Sequence, residues 1–373
     1  MFPDDEERVS AMKRIVFFIL LVPIVCGLVA RCPRHSLSAD EPSSVVAWPG
    51  GLPIYQHVVI VIEENKDYDQ VIGKEYAPFI NQTLCKEGAV LTQMFGEEHH
   101  SQGNYFWLFS GSNHGVGFRD GVPDVMIKNA PNLAAALLHK GLSFKGYSED
   151  LPEIGSQVLV ASPAGTPGAR AYARKHVPWI SFDNVPNGNS VKTSSNLRFK
   201  DFPTDEAGFA SLPSVAIVIP NLKNDMHDSD KGLQGEAAIK QSVGQGDAWL
   251  KEKLGGYYQW AKAHNSLLIV TFDENDDQSG EIGLTDPFAQ AVSNSTKDIR
   301  IQKDRQNRIC TVFAGAWVKH GKYQEGKGIT HVNILRTLEA MYRLPKAGAQ
   351  QPKAARGGID DNFIVTDVFE SNK

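Results

Sequence analysis

The chain has 373 residues, 42% of them apolar and 22% charged, with a formal net charge of −5. That is ample sequence for a large buried core, and the acidic balance, with no basic stripe interleaved with aromatics, excludes a general affinity for nucleic acid. Four cysteines without CxxC spacing exclude a cysteine-built zinc or redox module.

Met12-Lys13-Arg14 precedes an apolar run, Ile15 to Ala30, and then a polar stretch ending Leu37-Ser38-Ala39. A positive start, a short apolar centre and small residues at a cut site predict a secretory signal over residues 1–39. The acidic residues Asp4 to Glu7 do not belong in such a signal, so Met12 is the expected true start. The expectation is a secreted or periplasmic protein with no stable membrane span after cleavage; an uncleaved N-terminal anchor is the alternative. Residues 40–54 then read as a linker. Cys26 and Cys32 fall in the leader, leaving Cys85 and Cys310 either to pair or to stand as separate buried thiols.

His57 to Ile62 is an unbroken β-branched run, the pattern of a strand covered on both faces, and it ends in Glu63-Glu64-Asn65. A helix is predicted over Ala77 to Glu87 and a strand over Ala89 to Phe95. A polar turn, Glu97 to Gln102, then changes abruptly to the apolar run Tyr105 to Phe109, which places Ser101 at a helix N-terminus. Unpaired N–H groups and the positive helix end collect there and favour an anion. Ser101 taken alone reads more readily as a helix cap only, with the adjoining histidines as surface residues.

Asn132 to His139 is expected to be a helix capped by Asn132, and Ser143 to Tyr147 a strand. From residue 149 to about 210 the chain turns to Gly, Pro, Ser and Asn, the composition of an insertion or lid, with a short helix expected at Tyr172 to Trp179. Strands follow at Val215 to Ile219, Ser266 to Thr271 and Ile309 to Phe313. Between the first two, Gly246 to His264 reads as an amphipathic helix broken at Gly255-Gly256. His331 opens a last helix, Val332 to Tyr342.

Apolar strands that each end in polar residues and are followed by helices predict a mostly parallel sheet whose loops converge on one edge. Loops carrying Glu64, Ser101, Asp225 and Asp273 then share a pocket. Carboxylates and imidazoles from separate strand ends suit one or two divalent metals, with zinc, manganese, iron and calcium all compatible. A metal beside Ser101 favours its alkoxide for attack on phosphorus, Asn104 can donate to a non-bridging oxygen, and His227, His99 or His100 can protonate the leaving oxygen. His100 and His114 are candidates for substrate contact.

Five blocks carry a resemblance: residues 59–69, His100 to Tyr105, Pro220 to Asp228, Val270 to Glu274 and Ile329 to Glu339. They resemble the phosphoesterase family, which contains bacterial acid phosphatases and phospholipases C and belongs to the alkaline phosphatase superfamily. The resemblance runs from about residue 55 to about 345. It implies an α/β, alkaline phosphatase-like three-layer sandwich with a domain over residues 55–345 and a C-terminal tail over 346–373. It also implies metal ligation by Glu64, Asn65, Asp273 and Glu274, a nucleophile at Ser101 and a phosphate-contacting amide at Asn104. His331 falls on a late histidine facing the site, and Asp225 and His227 on positions where ligand and acid roles are both open. The implied activity is a secreted, metal-dependent phosphomonoesterase working through a phosphoseryl intermediate on a small phosphate ester or lipid headgroup. A phospholipase C-like phosphodiesterase and a non-catalytic metal-binding protein on the same fold are the alternatives. Three departures stand out: Glu63 duplicates the acid, Gly103 replaces a common Pro, and His99-His100 replaces His-Pro.

Overall fold

The run of branched residues beginning at His57 sits in the middle of a sheet because it has no polar face to give to water. In the computed structural model, which describes residues 46–116, 123, 126–163, 165–166, 171–276, 307–323, 328–352, 354 and 359–370, this run is strand β1 (His57–Glu63), buried from Val58 onward. The other strands are β2 (Ala89–Leu91), β3 (Met94–Phe95), β4 (Phe144–Ser148), β5 (Val160–Ala161), β6 (Tyr172–Ala173), β7 (Asn196–Arg198), β8 (Val215–Ile219), β9 (Ser266–Phe272), β10 (Thr311–Gly315), β11 (Gly321–Tyr323) and β12 (Ile329–Thr330). The helices are α1 (Tyr68–Val71), α2 (Cys85–Glu87), α3 (Ser101–Ser110), α4 (Leu133–His139), α5 (Glu206–Phe209), α6 (Gly235–Ala261) and α7 (His331–Tyr342).

Among the described residues eight strands form the main sheet in the order β11-β2-β10-β9-β1-β8-β4-β7. β1 runs parallel to both neighbours, with Ile60 opposite Ile217 and Ile269. β10 alone is antiparallel to β9 and β2, so the sheet is mostly parallel, as expected. α6 packs on β9 and β10, whereas α3, α4 and α7 pack on one another in a separate layer. Parallel register brings the carboxyl ends of β1, β8 and β9 to one edge, with Glu63 opposite Phe272. Ligands gather at this edge in such sheets.

Several elements differ from their sequence-based reading. The segment 149–210 is built into the fold: β7 extends the main sheet beside β4, and Trp179, Phe182 and Phe202 are core residues. Trp179 lies so close to Gly146 that a Cβ there would fall 2.1 Å from its ring. The expected short helix at 172–179 is instead β6 followed by two 3-10 turns, Arg174–His176 and Pro178–Ser181. α6 runs 27 residues without a break at Gly255-Gly256, because burial of Trp249, Leu250, Leu254 and Tyr257 outweighs the roughly 1 kcal/mol cost of each glycine. The helix expected over 77–87 is present from residue 78, with a π-turn at Ile80–Leu84 that leads into α2. The residues past 346 are no detached tail, since Ala347, Val365, Val368 and Phe369 are buried in the core, and within the linker Trp48 Nε1 donates to Leu344 O at 2.7 Å. Cys85 and Cys310 are free thiols. The leader over 1–39, with Cys26 and Cys32, lies outside the described residues.

One glycine of α6 ties the helix to the site. A Cβ at Gly246 would sit 2.3 Å from Met226 Cγ and 2.8 Å from Asn224 O, and Met226 holds a left-handed φ of 72° in the loop that carries Asp225 and His227. Gly246→Ala is expected to cost about 1–3 kcal/mol of stability by overpacking, read as a lower urea midpoint at unchanged slope. An unchanged midpoint would show that the loop yields freely.

Candidate active site

Ser101 is the first residue of α3, and the whole helix is buried. The polar turn before it is held from inside the helix: Asn104 Oδ1 accepts from Glu97 N at 2.8 Å and Glu98 N at 3.0 Å, and its Nδ2 donates to Glu98 O at 2.6 Å. Gly103 leaves room beneath that turn for the Glu98 carboxylate, since a Cβ there would fall 1.9 Å from Glu98 Oε1 in its present rotamer. Thus fixed, the Ser101 hydroxyl lies 2.9 Å from Glu64 Oε2 and 3.3 Å from Glu274 Oε1.

The two glutamates come from different strand ends, and Asn65 links them. Asn65 takes a φ of 32°, its N–H donates to Asp273 Oδ1 at 3.1 Å, and its side-chain amide donates to Glu274 Oε1 at 3.0 Å. Backbone bonds close the edge: Glu64 N to Asp225 O at 2.7 Å and Asp273 N to Glu63 O at 3.0 Å. Glu64, rather than Glu63, meets Ser101; the Glu63 carboxyl is buried without a hydrogen-bond partner.

Four groups complete the shell. Tyr105 OH donates to Glu64 Oε1 at 2.5 Å, and its ring stacks on His176 at 5.0 Å between centroids. His176 Nε2 lies 3.2 Å from Glu64 Oε1 and His227 Nδ1 3.9 Å from Glu64 Oε2. His99 Nδ1 meets Glu274 Oε2 at 2.6 Å. His176 and Tyr105 are absent from the candidates read in sequence. His176 sits 75 positions from Ser101 in a stretch with no periodicity, and Tyr105 reads as the start of an apolar helix face.

The electrostatics separate the carboxylates. Burial alone would raise the Glu64 carboxyl, but His176, Lys175 and His227, with the Tyr105 hydrogen bond, hold it below its usual range. Burial, then the charges of Glu64 and Glu274, pushes Asp273 well up; burial, then Glu64, does the same to Asp225. Burial also raises Glu274, against the pull of His99.

Among the described residues no three His, Cys, Asp or Glu side chains alone form a group that could hold a metal ion. The converging donors are a mixed oxygen set. Asn65 Oδ1 and Asp273 Oδ2 are buried and have no hydrogen-bond partner, and Glu64, Glu274 and the Ser101 hydroxyl lie against one another. Orphaned buried oxygens beside mutually repelling carboxylates fit a divalent cation, which accepts amide, hydroxyl and carboxylate donors together.

Not every candidate joins this set. Asn104 gives its amide oxygen and one N–H to the 97–98 backbone, so its first role is to hold the turn before Ser101. His331 Nε2 donates to Phe272 O at 2.8 Å, and burial lowers its pKa to about 4; it braces the strand that presents Asp273, and its Nδ1 is buried without a hydrogen-bond partner. Asp225 Oδ1 accepts from His227 N at 3.0 Å, while its Oδ2 is buried without a hydrogen-bond partner. His114 bonds Ser110 Oγ at 2.9 Å and packs on Phe106 and Phe182. That is the far end of α3, about 13 Å along the axis from Ser101, so His114 is outside the site. His100 is exposed at the helix start.

Comparison with known proteins places these residues in context. The Phosphoesterase family profile matches residues 74–345. The chain is 38% identical over 333 residues to a phosphatidylinositol-3-phosphatase of Mycobacterium tuberculosis, covering 89% of each. It is 31% identical over 248 residues to a probable acid phosphatase of Kluyveromyces lactis, covering 65% of this chain and 53% of the yeast protein. The chain thus spans nearly all of the mycobacterial relative and about half of the yeast one. A solved alkaline phosphatase superfamily protein from Vibrio parahaemolyticus aligns at TM-score 0.45 and 10% identity, over 80% of this chain and 68% of that one.

Proposed function

The chain belongs to the phosphoesterase family, and from that membership we propose that it is a metal-dependent phosphomonoesterase with Ser101 as nucleophile. The observation that carries the reading is the Ser101 hydroxyl, buried at a helix start, 2.9 Å from Glu64 and 3.3 Å from Glu274, at a strand edge where Asn65 Oδ1 and Asp273 Oδ2 lack partners. Residues 55–345 form the catalytic domain in this reading, and the leader pattern over residues 12–39 supports export.

Glu64, Asn65, Asp273 and Glu274 would hold the metal ion, with Ser101 as a further oxygen donor. When bound, the ion lowers the cost of the serine alkoxide and neutralises phosphoryl oxygens. The protein's own groups supply the rest. The Ser101 proton passes to Glu64 Oε2 as Oγ bonds to phosphorus and the bond to the leaving oxygen breaks. The N–H groups of the first turn of α3 face the phosphoryl negative charge. His227, with its side chain 39% exposed, can draw a proton from solvent and deliver it to the departing oxygen. Water then cleaves the phosphoseryl ester and restores Ser101.

The relative named as a phosphatidylinositol-3-phosphatase supports a monoester, with a lipid headgroup among the substrates. Phenyl phosphate is therefore expected to be turned over at least about a hundredfold faster than the bis-phenyl ester at equal concentration. Equal or faster hydrolysis of the bis-ester would identify a phospholipase C-like diesterase.

A further inference from the structure

Lysine is seldom fully buried, yet Lys66, next to Asn65, is 3% exposed. Its Nζ donates to Asn65 O at 2.9 Å and to His227 O at 3.1 Å. Those carbonyls belong to the turn after β1 and the loop after β8; Lys66 and His227 are 161 positions apart. The Lys66 N–H adds a third tie, to Glu274 O at 3.2 Å. One residue thus touches three of the segments that build the site.

The His227 loop needs such a tie. Met226 holds a φ of 72°, a left-handed conformation that a long side chain adopts at a cost. The turn is pinned on both sides of His227: its N–H to Asp225 Oδ1 at 3.0 Å and its carbonyl to the Lys66 ammonium. Its ring is free of that backbone pinning. It lies 3.9 Å from Glu64 Oε2 and lines a cavity of about 590 Å³ shared with Lys66, Asp228, Lys231, Ser242 and Asp276. A neutral donor would suffice to close a turn, and burying an ammonium costs more. Its return is a pair of charge-assisted bonds, at 2.9 and 3.1 Å, that fix direction.

We propose that Lys66 is a positioning residue that clamps the His227 carbonyl to the Asn65 carbonyl and so sets the imidazole where it protonates the leaving oxygen. The proposal rests on the phosphatase reading above and acts through His227. The proton moves from His227 to the oxygen whose bond to phosphorus breaks; Lys66 itself exchanges nothing. General-acid help matters most when the leaving group is a poor one. An alkyl phosphate depends on it and a nitrophenyl phosphate scarcely does.

The test measures kcat and KM for both esters in the metal-loaded wild type, Lys66→Met, Lys66→Arg and His227→Gln. Lys66→Met is expected to lose about a hundredfold in kcat on the alkyl ester and less than about fivefold on the nitrophenyl ester, with KM little changed. Lys66→Arg, which keeps a cationic donor, is expected to recover most of the loss. The Lys66→Met/His227→Gln double variant should be no slower on the alkyl ester than His227→Gln alone. Equal losses on both esters, or additive losses in the double variant, would overturn the proposal. If wild type hydrolyses neither ester, the phosphatase reading fails; if His227→Gln is selective for poor leaving groups and Lys66→Met is not, only the Lys66 role fails. Should Lys66→Met not fold, Lys66→Gln carries the same comparison, and its failure to fold would assign Lys66 to the scaffold and overturn the proposal.

Discussion

Ser101→Ala lowers kcat/KM for a chromogenic phosphomonoester by roughly a thousandfold or more, to the level of background. The geometry leaves no substitute for the hydroxyl. α3 is buried from its first residue, so water cannot easily occupy the serine's place with the same direction toward phosphorus. The neighbouring residues of the turn are engaged in holding it: Asn104 with the 97–98 backbone and His99 with Glu274. The fold should survive, because alanine is a good helix former and the change removes hydrogen bonds worth about 1–3 kcal/mol. Thermal unfolding measured beside the kinetics separates the two effects. A folded Ser101→Ala protein that retained near wild-type turnover would remove Ser101 from the mechanism.

Stripping divalent metal is expected to be as damaging. Dialysis against a chelator should take phosphomonoester hydrolysis to background, and one divalent cation should restore it, its identity read by elemental analysis of the active protein. The reason lies in the buried carboxylates. Asp273 and Glu274 are both raised by burial, Asp273 Oδ2 and Asn65 Oδ1 lack partners, and Glu64 lies against the same hydroxyl as Glu274. A bound cation converts this repulsion into attraction. It should therefore also raise the unfolding temperature, since a ligand bound at a hundred times its dissociation constant adds about 2.7 kcal/mol. Asp273→Asn keeps the shape but removes a charged donor, and should weaken both metal retention and activity by at least about tenfold. Full activity after chelation, with no metal detected, would contradict the donor assignment.

Much of this site was legible because its strands are nearly pure apolar text. β1, β8 and β9 are β-branched runs with abrupt polar ends, and those ends are Glu64-Asn65, the Asp225 loop and Asp273-Glu274. The change from polar turn to apolar helix marked Ser101 in the same way. Periodicity could not place residues whose role depends on partners far along the chain. His176 comes from a Gly- and Pro-rich segment whose β7 joins the sheet through β4, and nothing local announces that pairing. Lys66 carries no local signal that its ammonium reaches the carbonyl of His227, 161 positions away. Asn104 matched a spacing, but a matching position does not say where an amide points, and here it faces the backbone of its own turn. The start of α6 at Gly235 was hidden because its first turns, residues 235–241, are exposed or half-buried and carry Gly235 in place of an apolar face.

The central claim, covalent catalysis through Ser101, is tested most directly by acid-quenching the enzyme during turnover of a phosphomonoester and sequencing its peptides by mass spectrometry. The account predicts a phosphoryl group on Ser101 in the wild-type protein, with none on that peptide in Ser101→Ala. Turnover with no protein-bound phosphoryl group, or with the group on His176 or His227 instead, would contradict it.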